Sequence, residues 1–600
     1  MVASQSGSIR PHVRMLGLRK GALHGFGLAM GATLILWASD FKDGRPLFTL
    51  ADDAMISMSY GRTLAGGDLW LWYPDAPVVQ GFTNLLWSLF MACIHLLGAE
   101  GVIASYIVSL TGLALVGISA SLVGVMSRDI NPDGKVFGIQ PEFIGTFLAY
   151  ASYPLLYWSS RGFEVGLVTF LTIALLRLIQ VYEANGGKGP AVGILLVTIL
   201  GISTRIDFVV APLAIAAVFL LYLVWVRKNR ILHIALLLMG ASALGVGMVL
   251  CFQFLYWGDP LPNTYYLKAT GVELITRLER GALSSLKLMP IVLVGALLGL
   301  RLWQEGSSVH RKPLLLALGA TAASLLAYSV YVGGDVWDDF LFANRYVTPI
   351  LTLVAILIAA QPANGNWKSI GGVDVRAWAL LVTLSGAFLG ATTNNPPSIV
   401  RALLGPLVIG LIFTLTVRGS SKKRNHLISS RFSVAFAAIL IASGSVSGLA
   451  SAVVVGKPQA VSADLAKMGE GLEIAAVTRP GAIILVAWAG NPVYFSERPA
   501  LDLLGKNDSK IARMSPTDPV PGTWNEKFVP GHNKWSFQTS VVEGRPDLIF
   551  QFMDHPGERE SLKLLGYQAR CLPNSHTEVY VAESSLLVNF EKLVSCETFD

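Results

Sequence analysis

Apolar runs about as long as a bilayer is thick recur along this chain, with short polar loops between them. They fall at residues 21–39, 82–98, 101–126, 142–158, 163–182, 190–203, 207–226, 232–255, 284–302, 313–331, 346–360, 377–393, 398–417 and 432–454. A helix needs about 20 apolar residues to cross the hydrocarbon core, so these are the candidate spans. Basic residues in short loops stay on the cytoplasmic side. That places Arg10, Arg14, Arg19 and Lys20 inside, together with Arg227-Lys228-Asn229-Arg230 and Lys422-Lys423-Arg424. Counting between these anchors leaves one candidate too many. Segment 82–98 is the one predicted to lie on or dip into the outer face. It is short, opens on the polar Gly81-Phe82-Thr83-Asn84, and carries His95. About 13 transmembrane helices remain, and the C-terminus is outside. Removing segment 190–203 instead moves Glu164 to the cytoplasm.

After the last run the chain turns polar. Short β-like stretches at 482–488 and 546–551 alternate with helical ones at 462–477 and 556–565. The alternation predicts a small α/β domain. The organisation is thus a cytoplasmic N-terminus (1–20), a membrane domain (21–454) whose first outer loop covers 40–100, and an extracytoplasmic α/β domain (455–600). An outer location permits a Cys571–Cys596 disulfide, with two free thiols as the alternative.

Composition agrees with a multi-pass membrane protein. Charged residues make up 14%, against about 25% in soluble domains, and mean hydropathy is +0.56. The net charge of +7 is spread over short loops, so it marks topology and not a nucleic-acid footprint. There is no Gly-rich phosphate loop of the Walker or dinucleotide-binding type, and the four cysteines lack zinc-like spacing.

The polar residues that remain gather on the outer side. Asp52 and Asp53 begin the first loop, followed by Trp70, Trp72, Tyr73 and Gly81-Phe82-Thr83-Asn84. Further loops carry Arg161 and Glu164, Arg205 and Asp207, and the stretch from Trp257 to Lys268 with Asn263, Tyr265 and Tyr266. The last is Gly333-Gly334-Asp335 through Arg345. Ionisable residues this near lipid are costly, and they tend to mark substrate or ion paths. Simpler readings stand beside this one: a solvated loop for Asp52-Asp53, and a local pair for Arg205 and Asp207.

Several motifs together resemble the GT-C fold glycosyltransferases, within them the mycobacterial-type arabinofuranosyltransferases that add terminal arabinofuranose. They are Asp-Asp-Ala-x-Ile-Ser (52–57), Gly-Phe-Thr-Asn-Leu-Leu-Trp (81–87), Tyr-Trp-Gly-Asp-Pro-Leu-Pro-Asn-Thr (256–264) and Gly-Gly-Asp (333–335). In the tail they are Tyr-Phe-Ser-Glu-Arg-Pro-Ala-Leu-Asp-Leu-Leu-Gly (494–505) and Gly-His-Asn-Lys (531–534). The resemblance implies an inverting transfer from a polyprenyl-phosphate sugar to an extracytoplasmic glycan. It matches Asp52 to the first-loop acid proposed as base and Glu164 to the second, with Asp53 beside them. Such a reaction needs a carboxylate to take the acceptor's proton and cations to hold the departing phosphate. Lys268, Arg345, Arg161 and Arg205 are the candidate cations. Trp70, Asn84, Asn263, Tyr266, Asp335 and His532 are the candidates for sugar or acceptor contact. The resemblance fixes no cofactor and leaves a divalent metal between Glu164 and Asp52 open.

The alternative is a secondary transporter or flippase for lipid-linked sugars, since such proteins also carry intramembrane acids and broken helices. Against it, the two halves show no inverted repeat, and the suggestive charges sit at one face.

Overall fold

The computed structural model describes residues 9–42, 44–132, 139–226, 228–304, 311–336, 338, 343–361, 459–517 and 528–596. The predicted spans at 377–393, 398–417 and 432–454, and the Lys422-Lys423-Arg424 loop, lie outside these residues.

Ile9–Ala38 (α1) leads into a first loop that holds a small hairpin, Asp40–Lys42 (β1) with Arg45–Leu47 (β2), then Asp52–Ala65 (α2) and Leu85–Leu96 (α3). The bundle continues with Gly101–Ile130 (α4), Pro141–Tyr150 (α5), Tyr153–Ser160 (α6), Val165–Asn185 (α7) and Lys188–Thr204 (α8). Next come Val210–Leu223 (α9), Asn229–Trp257 (α10), Asn263–Ala269 (α11), Leu274–Leu286 (α12), Met289–Gln304 (α13), Arg311–Tyr331 (α14) and Pro349–Ala359 (α15).

Among the described residues, 6 helices are long and apolar enough to cross a membrane, or 7 if the bent pair α12–α13 counts as one span. Segment 82–98 folds as the short α3, of 12 residues. That is about 18 Å of helix, well under the core thickness. It packs on α2 instead of crossing. The two approach so closely at Gly61 that a Cβ there would lie 2.9 Å from the Ala92 nitrogen. Segment 190–203 becomes α8, whose 17 residues sit at the lower limit for a span, packed between α7 and α10.

Two expectations of one straight span change. Segment 142–158 is two helices, α5 and α6, separated at Ala151-Ser152. Pro154 has no N–H to return to the Tyr150 carbonyl, so one helix cannot run through. Segment 284–302 bends by 73° between α12 and α13, where Pro290 likewise removes a donor. Helix α15 is buried over its whole length. It is apolar all round, as a helix enclosed by other helices should be.

In the tail, Gln459–Val477 (α16) precedes a five-stranded mixed sheet. Its strands are Ile484–Val486 (β3), Ala500–Asp502 (β4), Leu548–Ile549 (β5), Tyr567–Cys571 (β6) and Glu578–Ala582 (β7), in the order β4-β3-β5-β7-β6. The interior strand β3 pairs in parallel with β4 and β5. Its run Ile484-Leu485-Val486 is apolar throughout because both faces of the sheet are covered. Ile484 and Val486 join one cluster, and Leu485 joins another with Trp535 and Tyr567. Cys571 and Cys596 are joined by a disulfide.

The first cluster also contains Ile56 and Tyr60 of α2, Trp70, Phe82 and Trp257. The tail therefore packs on the first loop, at the end of α10 opposite Asn229. A cysteine placed at the exposed Asn229 and one at the exposed Gln538 should react with an impermeant maleimide from opposite sides. By the basic-loop rule, Gln538→Cys labels in intact cells and Asn229→Cys only after permeabilisation. Equal labelling of both would contradict this arrangement.

Candidate active site

The first turn of α2 carries two carboxylates. Neighbouring helix residues point about 100° apart, and these two side chains part company. Asp52 turns into the tail. Its carboxylate accepts from the backbone N–H groups of Asn491 (2.7 Å) and Gly490 (3.1 Å), and its own N–H donates to Asp464 of α16 (3.1 Å). Asp464 is in turn paired with Arg161 at 2.8 Å, and both side chains are buried. Burial pushes Asp52 up to about 6, with the charge of Lys506 acting against it. Burial pushes Asp464 up to about 7 against the charge of Arg161.

Asp53 faces a cavity of about 650 Å³. The side chain is held by Lys506 at 2.6 Å and Arg345 at 3.1 Å. Arg345 is oriented from behind by Asp335, which takes its Nε at 2.7 Å and Nη2 at 3.1 Å. Lys506 comes from the tail. After β4 the chain wraps around the Asp502 carboxylate, which accepts from the N–H groups of Leu504, Gly505 and Asn507 and from the Asn507 side chain. Gly505 takes the left-handed conformation this turn requires (φ 74°), and Lys506 is delivered to Asp53.

Glu164, at the start of α7, lies in the same cavity. It accepts from Arg205 at 2.5 Å and from the Asn84 amide at 2.9 Å. Arg205 also grips Asp207 at 3.0 Å, so the local pair read from the sequence forms, and Glu164 joins it. Burial alone would raise Asp53 and Glu164. The charges of Lys506 and Arg345 outweigh it for Asp53, and those of Arg205 and Arg345 for Glu164, holding both carboxyls below their usual range. The Tyr346 ring sits among the cations: Arg205 at 5.1 Å, Lys268 at 5.7 Å and Arg345 at 5.7 Å from its centroid. Its face is electron-rich, which eases their crowding.

The lining holds five cationic side chains (Arg205, Lys268, Arg277, Arg345, Lys506) against three carboxylates (Asp53, Glu164, Asp207). Arg277 Nε and Thr264 Oγ1 are buried here without a hydrogen-bond partner among the described residues. Apolar lining residues descend between α9, α10 and α14 by way of Val209, Val210, Val246 and Ala327. Val246 is eleven residues before the end of α10, about 16 Å along its axis.

His532 reaches the cavity from the tail. Its Nδ1–H donates to the Pro530 carbonyl at 3.1 Å, since a carbonyl can only accept. Nε2 is left as an acceptor. Burial and the nearby Lys506 hold the ring down at about 4, so it is neutral near pH 7. The loop is fixed by Lys534, which donates to the Tyr266 and Ala512 carbonyls and the Thr270 hydroxyl of neighbouring segments.

The sequence candidates thus divide. Asp53, Glu164, Lys268, Arg205, Arg345, Asn84 and His532 share one cavity. Asp52 and Arg161 join the tail to the bundle, and Asp335 holds Arg345; none of the three lines the cavity. Trp70 packs against Phe82 and Trp257. Asn263 donates to the carbonyls of Gly505, Lys506 and Asp508, and Tyr266 to Asp259. Sequence reasoning missed Lys506, one residue beyond a motif it singled out, and Tyr346, next to Arg345.

A metal between Asp52 and Glu164 does not fit these residues. The two carboxylates do not face one space, and Glu164 is already neutralised by Arg205. Among the described residues, no group of three or more His, Cys, Asp or Glu is arranged to hold an ion.

Two outcomes follow from this geometry. Asp52→Ala strands the Gly490 and Asn491 amides, so the thermal midpoint of the purified protein should fall by the equivalent of about 2–3 kcal/mol, with Asp52→Asn milder because it keeps an acceptor. A midpoint unchanged in Asp52→Ala would refute the anchoring role. For His532, the folded-state pKa lies below the unfolded one. Its contribution is full above about pH 6.5 and is lost as pH falls toward 4. His532→Gln should therefore remove part of the wild-type drop in thermal midpoint between pH 7 and pH 4.5. Parallel pH curves for the two proteins would rule this out.

No family model matches the chain, and no curated protein matches it in sequence. Solved structures match it by fold. The crystal structure of ArnT from Cupriavidus metallidurans bound to undecaprenyl phosphate is similar with a TM-score of 0.53 at 12% identity, over 94% of this chain and 98% of that one. The apo form of the same protein gives 0.50 at 13% identity, over the same shares. The arabinosyltransferase EmbB from Mycobacterium smegmatis gives 0.38 at 13% identity, over 75% of this chain and 42% of its own, a likeness too loose to argue from. At such identities the likeness to ArnT speaks to architecture alone, and the architecture is the GT-C fold.

Proposed function

We propose that this chain is an inverting membrane glycosyltransferase. It takes a sugar, in our reading arabinofuranose, from a polyprenyl-phosphate donor and passes it to a cell-envelope glycan outside the plasma membrane. The observation that carries the proposal is the cavity's two-part lining. One end presents more cations than carboxylates, with buried donors of Arg277 and Thr264 unpartnered among the described residues. The other end is an apolar slot running down between spans. An anionic head on a long hydrocarbon tail fits that combination. ArnT, which shares the fold, was solved with undecaprenyl phosphate bound, in keeping with a lipid-phosphate donor. Arabinofuranose rests on the sequence motifs. The tail, residues 455–600, is assigned to the outer side on the basic-loop rule.

In this mechanism Asp53, and not Asp52, is the base. The raised pKa of Asp52 would suit proton transfer, but its oxygens are taken by backbone amides and it does not reach the cavity. Asp53 is paired with Lys506 and Arg345, the two cations a donor phosphate would also draw. As the phosphate shares them, the hold on Asp53 weakens and its basicity rises. The acceptor oxygen then forms a bond to the anomeric carbon. The carbon–oxygen bond to phosphate breaks, its electron pair leaves on the phosphate oxygen, and the acceptor's proton passes to Asp53. Arg345, Lys506, Lys268 and Arg277 stabilise the phosphate charge as it develops. Glu164 holds Arg205 in place.

Asp53→Asn should lower transfer from a polyprenyl-phosphate pentose by about 10²–10⁴-fold, measured as labelled sugar incorporated by purified protein. Turnover of Asp53→Asn close to wild type would end this assignment.

A further inference from the structure

A groove of about 400 Å³ opens on the side of the bundle, at the end away from the tail. Tyr182 of α7, Ala191 and Leu195 of α8, and His233, Leu237 and Gly240 of α10 line it. It shares no residue with the cavity around Asp53. Small residues make the room: a Cβ at Gly240 would have no atom within 4 Å. Along α10 the lining runs from His233 to Ala241, about 12 Å of helix that begins about 6 Å from its first residue. Both α7 and α10 are long and apolar enough to cross a membrane. The groove therefore lies at the depth of one leaflet's hydrocarbon, about 15 Å thick, and the exposed Leu236 marks its open side.

The polar end of the groove is basic. Lys188 precedes Ala191 and Leu195 by three and seven residues, and Arg230 precedes His233 and Leu237 by three and seven. Each cation thus shares a helix face with the lining beyond it. The turn between α7 and α8 brings the two together, because the Arg230 guanidinium lies against Gly186. Arg230 donates to the Glu183 and Ala184 carbonyls at 3.0 and 2.6 Å, and these carry no net charge. The Glu183 carboxylate is answered by Lys228 at 3.2 Å. Lys188 and Arg230, both exposed, are left without an acidic partner among the described residues. The Tyr182 hydroxyl and the His233 ring likewise make no hydrogen bond among the described residues. An apolar groove between spans with unmatched cations at its mouth complements a phosphate headgroup on a hydrocarbon chain. A helix about 10 Å across, laid along the same 12 Å, would occupy roughly 900 Å³, so the groove suits a single acyl chain better.

We propose that this groove is a binding site for an anionic diacyl phospholipid. One acyl chain lies between α8 and α10, and the phosphate sits between Lys188 and Arg230. By the basic-loop rule this is the cytoplasmic leaflet, whose anionic lipids attract such cations. The site is independent of the transferase reading.

The test titrates delipidated full-length protein in detergent with dioleoyl phosphatidylglycerol or dioleoyl phosphatidylcholine and counts bound lipid by native mass spectrometry. The wild type should bind phosphatidylglycerol at least fivefold more tightly. Lys188→Gln should reduce that preference about fivefold, the worth of one basic residue at an anionic headgroup, and leave phosphatidylcholine binding unchanged. Gly240→Phe fills the groove from a position open to the side chain and should weaken binding of both lipids at least tenfold. Neither substitution removes a hydrogen bond or an ion pair seen among the described residues, so both variants should keep the wild-type thermal midpoint without lipid. Equal binding of the two lipids by the wild type, or wild-type binding by Gly240→Phe, overturns the site. A preference unchanged in Lys188→Gln overturns the headgroup contact. Tighter binding of undecaprenyl phosphate than of phosphatidylglycerol overturns the diacyl assignment. Dimerisation that Gly240→Phe abolishes, with no lipid preference in the wild type, overturns it in favour of a second copy of this chain.

Discussion

Two consecutive carboxylates at the start of one helix govern this molecule. Because helix geometry turns Asp52 and Asp53 in different directions, one secures the tail and the other enters the cavity. Neither job can shift without the other. Moving the tail's Gly490-Asn491 turn would move the frame that also holds Lys506, the partner of Asp53. The position of α2 is thus set by charge from both sides, and its apolar face is closed by α3 at Gly61.

The energetic logic of the two sides differs. Around Asp52, Arg161 and Asp464 two carboxylates and one guanidinium are buried together, Asp464 paired with Arg161 and Asp52 held by backbone amides. Desolvation takes back much of what such pairs gain, so their main effect is to fix one arrangement of bundle and tail. In the cavity the balance is left open. Cations outnumber carboxylates, and Arg277 and Thr264 each keep a donor unpartnered among the described residues. Asp335 and Asp502 lie behind it. Asp335 grips the Arg345 guanidinium directly, and Asp502 uses its oxygens to shape the loop that presents Lys506.

The sequence made much of this legible, for physical reasons. Apolar length marked α4, α7, α10 and α14, because a bilayer leaves little freedom in span length. It failed where proline interrupts an apolar run, at Pro154 and Pro290, since hydropathy does not register a missing donor. The carboxylates and cations of the cavity stood out because charge is rare in such a chain. Which of two adjacent acids faces the cavity was not legible, since that depends on where residues more than 400 positions away dock. Lys506 was hidden for the same reason: one lysine in a polar tail looks like any other until the Asp502 turn aims it. Trp70, Asn263 and Tyr266 have the residue types that bind sugars, but these types also fill aromatic clusters and cap loops, and that is how they are used here.

The partner of Asp53 lies 453 residues further along the chain. Synthesis proceeds at about 5–20 residues per second, so roughly 20–90 s separate the making of the acid from the making of its lysine. During that interval the cavity lacks the wall that carries Lys506 and His532. Its electrostatics are completed only once the tail has emerged. A chain cut between α15 and Lys506 would keep the described helices that line the cavity but not the lysine that pairs with Asp53, so synthesis of the tail acts as the timer for the site.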